Sequence, residues 1–211
     1  MKIKAADRSE LLVAWDAHRD AIRSRLRDFG NVPKERYMYE LFFCVMTPQS
    51  SAAQCALVAE ELERRNFLSV EFDPAPLLRG HAGGYVRFHN TKARRLLTLR
   101  NREDEILQLF EQNSTDKELR DILADGIDGL GMKEASHFLR NVGRTEVTIV
   151  DRHIIRNLIR LDVLEAWPPS ISLKTYRNLE RRFEELAAAL DIPHAALDLL
   201  LWQRETGYIL K

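Results

Sequence analysis

Two residues of this chain have types and surroundings suited to covalent chemistry at an electrophilic carbon. Lys133 follows Gly129-Leu130-Gly131-Met132, and Asp151 comes later, after the apolar run Val147-Thr148-Ile149-Val150. Met132 to Asn141 reads as a helix, which puts Lys133 in its first turn. The positive end of the helix dipole there disfavours a cation and favours the neutral amine, which is a nucleophile. Asp151 stands at the predicted start of another helix, Arg152 to Leu161. A carboxylate in that place can cap the helix, and it can also act as a base or as partner to a developing cation. The plainer alternatives are a solvated surface lysine and a simple N-cap, the second being compatible with catalysis.

The elements that must position these groups are written around three glycines, Gly126, Gly129 and Gly131. Their spacing allows a tight turn with positive φ and leaves amides bare enough for a phosphate to approach. Upstream, Thr115 and Glu118 form a Thr-x-x-Glu capping box that opens a helix with Leu119, Ile122 and Leu123 at apolar spacing. Helix, glycine hairpin and helix together make a helix-hairpin-helix DNA-binding element.

With these residues in view, the chain resembles the helix-hairpin-helix DNA glycosylases. In that superfamily Gly-x-Gly-x-Lys supplies a Schiff-base lysine and Val-Asp-x-His an essential aspartate; here they match Gly129 to Lys133 and Val150-Asp151-Arg152-His153. The segment Lys133 to Asn141, Arg87-Phe88-His89-Asn90, the pair Leu201-Trp202 and the terminal Lys211 narrow the resemblance to the type 2 8-oxoguanine DNA glycosylase/lyases of archaea and some bacteria, over almost the whole length. The resemblance implies that Lys133 and Asp151 are catalytic. It implies that Gln49, with Ser50 beside it, wedges into the duplex, and that Lys211 contributes to recognition of 8-oxoguanine.

Composition sets wide bounds. The chain has 211 residues, 45% hydrophobic and 30% charged, and a formal net charge of +0, so any DNA-binding face must be local rather than a global basic excess. No apolar run approaches the ~20 residues that cross a membrane, and the first residues lack a signal-peptide core, so the expectation is a cytoplasmic, nucleoid-associated protein, acting as a monomer. Cys44 and Cys55 read as small core residues. Two thiols cannot hold an iron–sulfur cluster, which takes four, so the cluster loop typical of endonuclease III and adenine glycosylases is absent.

Along the chain, Glu10 to Phe29 reads as a helix with Leu11, Leu12, Trp15, Ile22 and Leu26 inward and Arg19, Arg23 and Arg27 on a solvated face. Tyr37 to Met46 is apolar nearly all round and reads as a central core helix. Thr47-Pro48-Gln49-Ser50-Ser51 is either a capping turn or the wedge loop. Asp73-Pro74 opens a short helix to Leu78. Arg87 to Arg102 carries Arg87, Lys92, Arg94, Arg95, Arg100 and Arg102 without an acidic residue; such a run is usually a solvated face, but Phe88 and His89 beside it suggest a nucleotide site. Asn90 is expected to cap the helix that follows, and Glu103 to Gln112 to form an amphipathic helix. Arg152, Arg156 and Arg160 recur at steps of four, better placed than the first stripe to meet phosphate, with a solvated face as the default. After the break at Trp167-Pro168-Pro169-Ser170, helices are expected at Leu173 to Leu190 and Pro193 to Thr206, with Asp191 as a cap.

The expected architecture is all-α, nine or ten helices, with only Val147 to Val150 strand-like. Two helical domains are expected, 33–146 with the helix-hairpin-helix and 1–32 plus 147–211, with an active-site cleft between them. A base in a duplex must be extruded before its glycosidic bond can be reached. The anchors would be Gly129, Gly131, Arg152 and His153, the plug Gln49 with Ser50, and the base pocket Phe88, Trp202 and Lys211. Lys133 would attack C1′ with help from Asp151 to release 8-oxoguanine, and β-elimination would cut the strand; no metal or cofactor is needed. Two alternatives stay open: a glycosylase of the same superfamily for another damaged base, and a non-catalytic helix-hairpin-helix DNA-binding module.

Overall fold

Apolar residues at helical spacing run through nearly the whole chain, and helices are the regular elements that result. The computed structural model describes residues 5–80 and 83–209, and among these it has eleven α-helices and no strand. They are α1 (Ala5–Gly30), α2 (Tyr37–Met46), α3 (Ala52–Arg64), α4 (Ala75–Leu78), α5 (His89–Arg100), α6 (Glu103–Leu109), α7 (Asp116–Gly126), α8 (Met132–Asn141), α9 (Arg152–Arg160), α10 (Leu173–Leu190) and α11 (His194–Thr206), with a 3-10 turn at Lys34–Arg36. Lys211 lies outside the described residues.

Two compact units are formed, one from the chain up to Asn31 and from Leu139 onward, the other from Val32–Phe138. The second change of unit falls within α8, ahead of the loop near 146 where the sequence suggested it. Sequence patterns place such changes in loops; here a single helix begins in one unit and ends in the other.

In the unit Val32–Phe138, α2 is the centre, packed by α3, α5 and the 3-10 turn, with α4 against α3 and α5. Nine of the ten residues of α2 are buried, as expected of a helix apolar on every side. Phe42 meets Phe67 edge-on at 5.6 Å, while Phe110 bridges Tyr37 and Phe138 at 5.0 and 5.8 Å. Of these Phe42, Phe67 and Phe138 are fully buried, each contributing about 1.5–3 kcal/mol. Cys44 and Cys55 are fully buried core residues, neither in a disulfide. Burial pushes the Cys55 thiol up to about 11 against the opposing charge of Lys92.

In the other unit α11 is the centre, and α1, α9 and α10 pack on it. Its run Ala195 to Leu201 is buried throughout. The segment Val147 to Val150 is buried but pairs with no strand. Side chains of α10 substitute for one: Glu180 accepts from the Thr148 amide at 3.1 Å, and the Tyr176 hydroxyl accepts from the Val150 amide at 3.1 Å and donates to the Thr148 carbonyl at 2.7 Å. The Thr148 amide and carbonyl and the Val150 amide are thereby satisfied without a ladder.

Two expected caps differ. Phe88, not Asn90, is the N-cap of α5, and the Asn90 side chain accepts from Arg79. Asp191 closes α10 in a left-handed conformation, while Pro193 precedes α11. Asparagine and aspartate tolerate the left-handed turn, so Asp191 serves the end of one helix as well as it could have served the start of another.

Candidate functional site

The hairpin is assembled from both sides. The capping box at α7 is complete, with the Glu118 amide donating to Thr115 Oγ1 and the Thr115 amide to Glu118 Oε2. Between α7 and α8, Ile127 and Leu130 are buried and anchor the turn, leaving Asp128 exposed. Of the three glycines only Gly129 takes up positive φ, +82°; Gly126 ends α7 and Gly131 precedes α8 without it. A Cβ on Gly129 would stand 2.5 Å from the Arg95 guanidinium. Among the described residues neither the Gly129 nor the Gly131 amide donates to a backbone carbonyl, as an anion-binding turn requires.

The basic tract proves to be the scaffold of this hairpin more than a solvated face. Arg95 donates from Nε and Nη2 to Asp128 at 2.9 and 3.1 Å, and Arg102 Nη1 donates to the Gly126 carbonyl at 2.9 Å. The hydrogen bond from Arg95 holds the Asp128 carboxyl below its usual range. Arg100 donates to the Phe67 carbonyl, and Lys92 is buried. Arg87 and Arg94 remain exposed. Arg102 also pairs locally with Glu105, at 2.6 and 2.9 Å, but the hairpin partners of Arg95 and Arg102 lie too far along the chain for sequence spacing to reveal them.

Lys133 is the second residue of α8. Its amine, on a side chain 37% exposed, lies 3.0 Å from Oε1 of Glu134. Glu134 escaped the sequence reading, although an acidic residue in a first turn beside a lysine was a usable signal. Pro48, Arg95, the hairpin 124–131 and Glu134 line one open recess. In the same unit, Gln49 is exposed with φ 58°, and Ser50 Oγ accepts from the Arg87 amide at 3.0 Å and from Lys92 at 3.1 Å. Phe88 is 54% exposed, with the Arg87 guanidinium 5.4 Å from its ring centre.

In the other unit Asp151 is the N-cap of α9. Its Oδ1 accepts from the amides of His153 and Ile154 at 2.8 and 2.9 Å, while Oδ2 has no hydrogen bond among the described residues. His153 receives the Arg152 side chain at 3.3 Å and meets Trp202 edge-on at 4.8 Å. The Trp202 Nε1 is buried without a hydrogen-bond partner among the described residues. Arg156 and Arg160 lie on an exposed face, as the default for their stripe had it, and both reach Glu205, a residue 8% exposed at its side chain. Burial raises the Glu205 carboxyl, and the hydrogen bond from Arg156 with the charges of both arginines outweighs it, leaving the group below its usual range. Behind Asp151, the buried Asp198 pairs with Arg140 at 2.9 Å.

Residues 22–192 match the family model described as 8-oxoguanine DNA glycosylase. The 8-oxoguanine DNA glycosylase/AP lyase of Fusobacterium nucleatum is 34% identical over 206 residues, covering 90% of each chain. The crystal structure of Methanocaldococcus jannaschii 8-oxoguanine DNA glycosylase matches with a TM-score of 0.85 at 28% identity, over 97% of this chain and 95% of that one. The same archaeon's glycosylase/lyase, in complex with a 15mer DNA containing 8-oxoguanine, matches with a TM-score of 0.82 at 29% identity, over 92% and 93%. The chain belongs to the 8-oxoguanine DNA glycosylase family.

Proposed function

We propose that this protein removes 8-oxoguanine from duplex DNA and then cuts the strand at the abasic site, with Lys133 as nucleophile. The observation that carries the reading is a lysine amine in the first turn of the helix that directly follows a glycine hairpin with free amides, in a member of this family. Asp151 is the carboxylate partner: its Oδ1 is fixed by two amides, which orients Oδ2 for a proton or for a developing cation.

The Lys133 amine, having given up its proton, attacks C1′. The C1′–N9 bond breaks, and 8-oxoguanine leaves as the neutral base after taking a proton. The C1′–Nζ adduct opens to an iminium. This acidifies the C2′ proton, whose loss expels the 3′ phosphate oxygen by β-elimination. Gly129, Gly131, Arg152 and His153 hold the DNA backbone, Gln49 and Ser50 fill the gap left by the base, and Phe88, Trp202 and Lys211 receive it. The partner is double-stranded DNA bearing 8-oxoguanine or an abasic site. None of the described helices is long and apolar enough to cross a membrane; with DNA as substrate, the protein acts in the cytoplasm at the nucleoid, as a monomer.

The test is a labelled duplex with one 8-oxoguanine opposite cytosine, incubated with protein and borohydride. The wild type forms a covalent adduct and, without borohydride, cleaves the strand; Lys133→Gln does neither, and Asp151→Asn slows base release by about 10²–10⁴-fold. Duplex binding without adduct or cleavage would leave a DNA-binding module in place of an enzyme.

A further inference from the structure

Five non-glycine residues among those described have positive φ: Gln49, Asn66, Phe88, Asp162 and Asp191. Asn66, Asp162 and Asp191 each lie within two residues of a helix C-terminus, where asparagine and aspartate readily accept the left-handed turn. Gln49 and Phe88, both at 58°, are of another kind. A bulky aromatic side chain is held in that conformation only where its surroundings over-determine it.

What surrounds both is one buried lysine. Lys92 is 2% exposed, and its ammonium donates to the Met46 carbonyl at 2.5 Å, the Pro48 carbonyl at 2.7 Å and Ser50 Oγ at 3.1 Å. Its own amide donates to the Phe88 carbonyl at 3.0 Å. Ser50 Oγ also accepts from the Arg87 amide. The end of α2, the loop carrying Gln49 and the turn carrying Phe88 therefore converge on the side chains of Lys92 and Ser50. Gly84 presses the segment before Phe88 onto α3, since a Cβ there would stand 2.4 Å from the Gln54 carbonyl oxygen. All three acceptors are neutral oxygens, so the group serves as a three-way tie and not as an ion pair.

We propose that Lys92 is a positioning residue for base extrusion: it locks the Gln49 loop and the Phe88 turn into one preformed surface that distorts the duplex without first having to order itself. The proposal rests on the glycosylase reading for its substrate.

Full-length wild type, Lys92→Met and Ser50→Ala are compared for affinity toward a duplex with a tetrahydrofuran abasic analogue and toward the intact duplex, and for the fluorescence of a 2-aminopurine placed beside the analogue. Lys92→Met is also trapped with borohydride on a single-stranded abasic oligonucleotide, which needs no duplex distortion. Lys92→Met is expected to lose at least tenfold of the preference for the abasic duplex together with the fluorescence rise, while single-strand trapping stays within twofold of wild type. Ser50→Ala, which leaves two of the three ties, is expected to lose about threefold of the preference, and Lys92→Gln, measured in the same way and keeping a neutral donor in place of the ammonium, decides the matter if Lys92→Met does not fold. A preference within twofold of wild type in the folded variants overturns the proposal, as does a parallel fall of trapping and preference. If the wild type traps nothing, the glycosylase reading fails while the ratio of affinities still tests Lys92.

Discussion

The Asp198 carboxyl is pushed up to about 6 by burial, with the charge of Asp151 adding to the effect and Arg140 and His194 opposing it. In the unfolded chain the same group titrates near its ordinary 3.8. Between the two values the unfolded chain has lost the proton and the folded one keeps it. The contribution of this group to stability is therefore complete below the unfolded value and is lost as pH rises through the folded one, about 3 kcal/mol in all. Asp198→Asn has no proton to lose. Apart from a constant offset from the broken Arg140 pair, its melting temperature relative to wild type should climb between pH 4 and 7, as thermal denaturation at a series of pH values would show. A flat difference would mean that Arg140 keeps the carboxylate ionised throughout. Residues such as this were partly legible beforehand. Asp198 sits inside the apolar run Ala195 to Leu201, and Lys92 shares a helix face with Leu96 and Leu99, so both positions pointed inward. Reading Lys92 as one of a run of charges hid its place on the buried face. The Glu205 partner of Arg156 and Arg160 was not legible, because a pairing across dozens of residues leaves no local pattern.

At the scale of elements, the hairpin shows why helix boundaries came through well and turn detail did not. Thr115, Glu118 and the apolar spacing of α7 and α8 act within one or two turns of chain, so the sequence reveals them directly. Gly129, and neither of the other two glycines, is the left-handed residue, and it lies under the Arg95 side chain that reaches across to Asp128, a long-range contact that local spacing does not reveal. Val147 to Val150 illustrates the same limit: its composition suits a strand, but its hydrogen bonds go to Tyr176 and Glu180. Gly129→Ala should force the Arg95 guanidinium away and strain the backbone, at a cost of about 1–2 kcal/mol. In a chain of this size that lowers the melting temperature by about 2–8 °C, and affinity for duplex DNA should fall as well. Gly131→Ala, whose Cβ meets only the Glu134 carboxylate at 3.2 Å, should cost less in both measurements. Equal losses at the two glycines would refute the special role of Arg95.

Taken whole, the molecule has a formal net charge of +0, and many of its arginines are committed to its own acceptors. Arg87, Arg94 and Arg152 are exposed and make no ion pair with a carboxylate among the described residues. If these three supply the phosphate contacts, the logarithm of the duplex binding constant should fall with the logarithm of salt concentration with a slope of about −3. Fluorescence anisotropy between 50 and 200 mM salt would measure it. A slope of about −6 or steeper would mean that Arg95, Arg156 and Arg160 exchange their carboxylates for phosphate on binding.

The packing of α1 on α11 also sets a timetable for synthesis. Residues 32–138 are continuous, so their unit can close while the ribosome is still at work. Helix α1, whose Leu11, Trp15 and Ile22 are buried, must wait for α11, which starts at His194. At about 5–20 residues per second that wait lasts roughly ten to thirty seconds. During it the apolar stripe of α1 stands uncovered on the nascent chain, a surface a chaperone can hold, and an element made before the continuous unit settles after it.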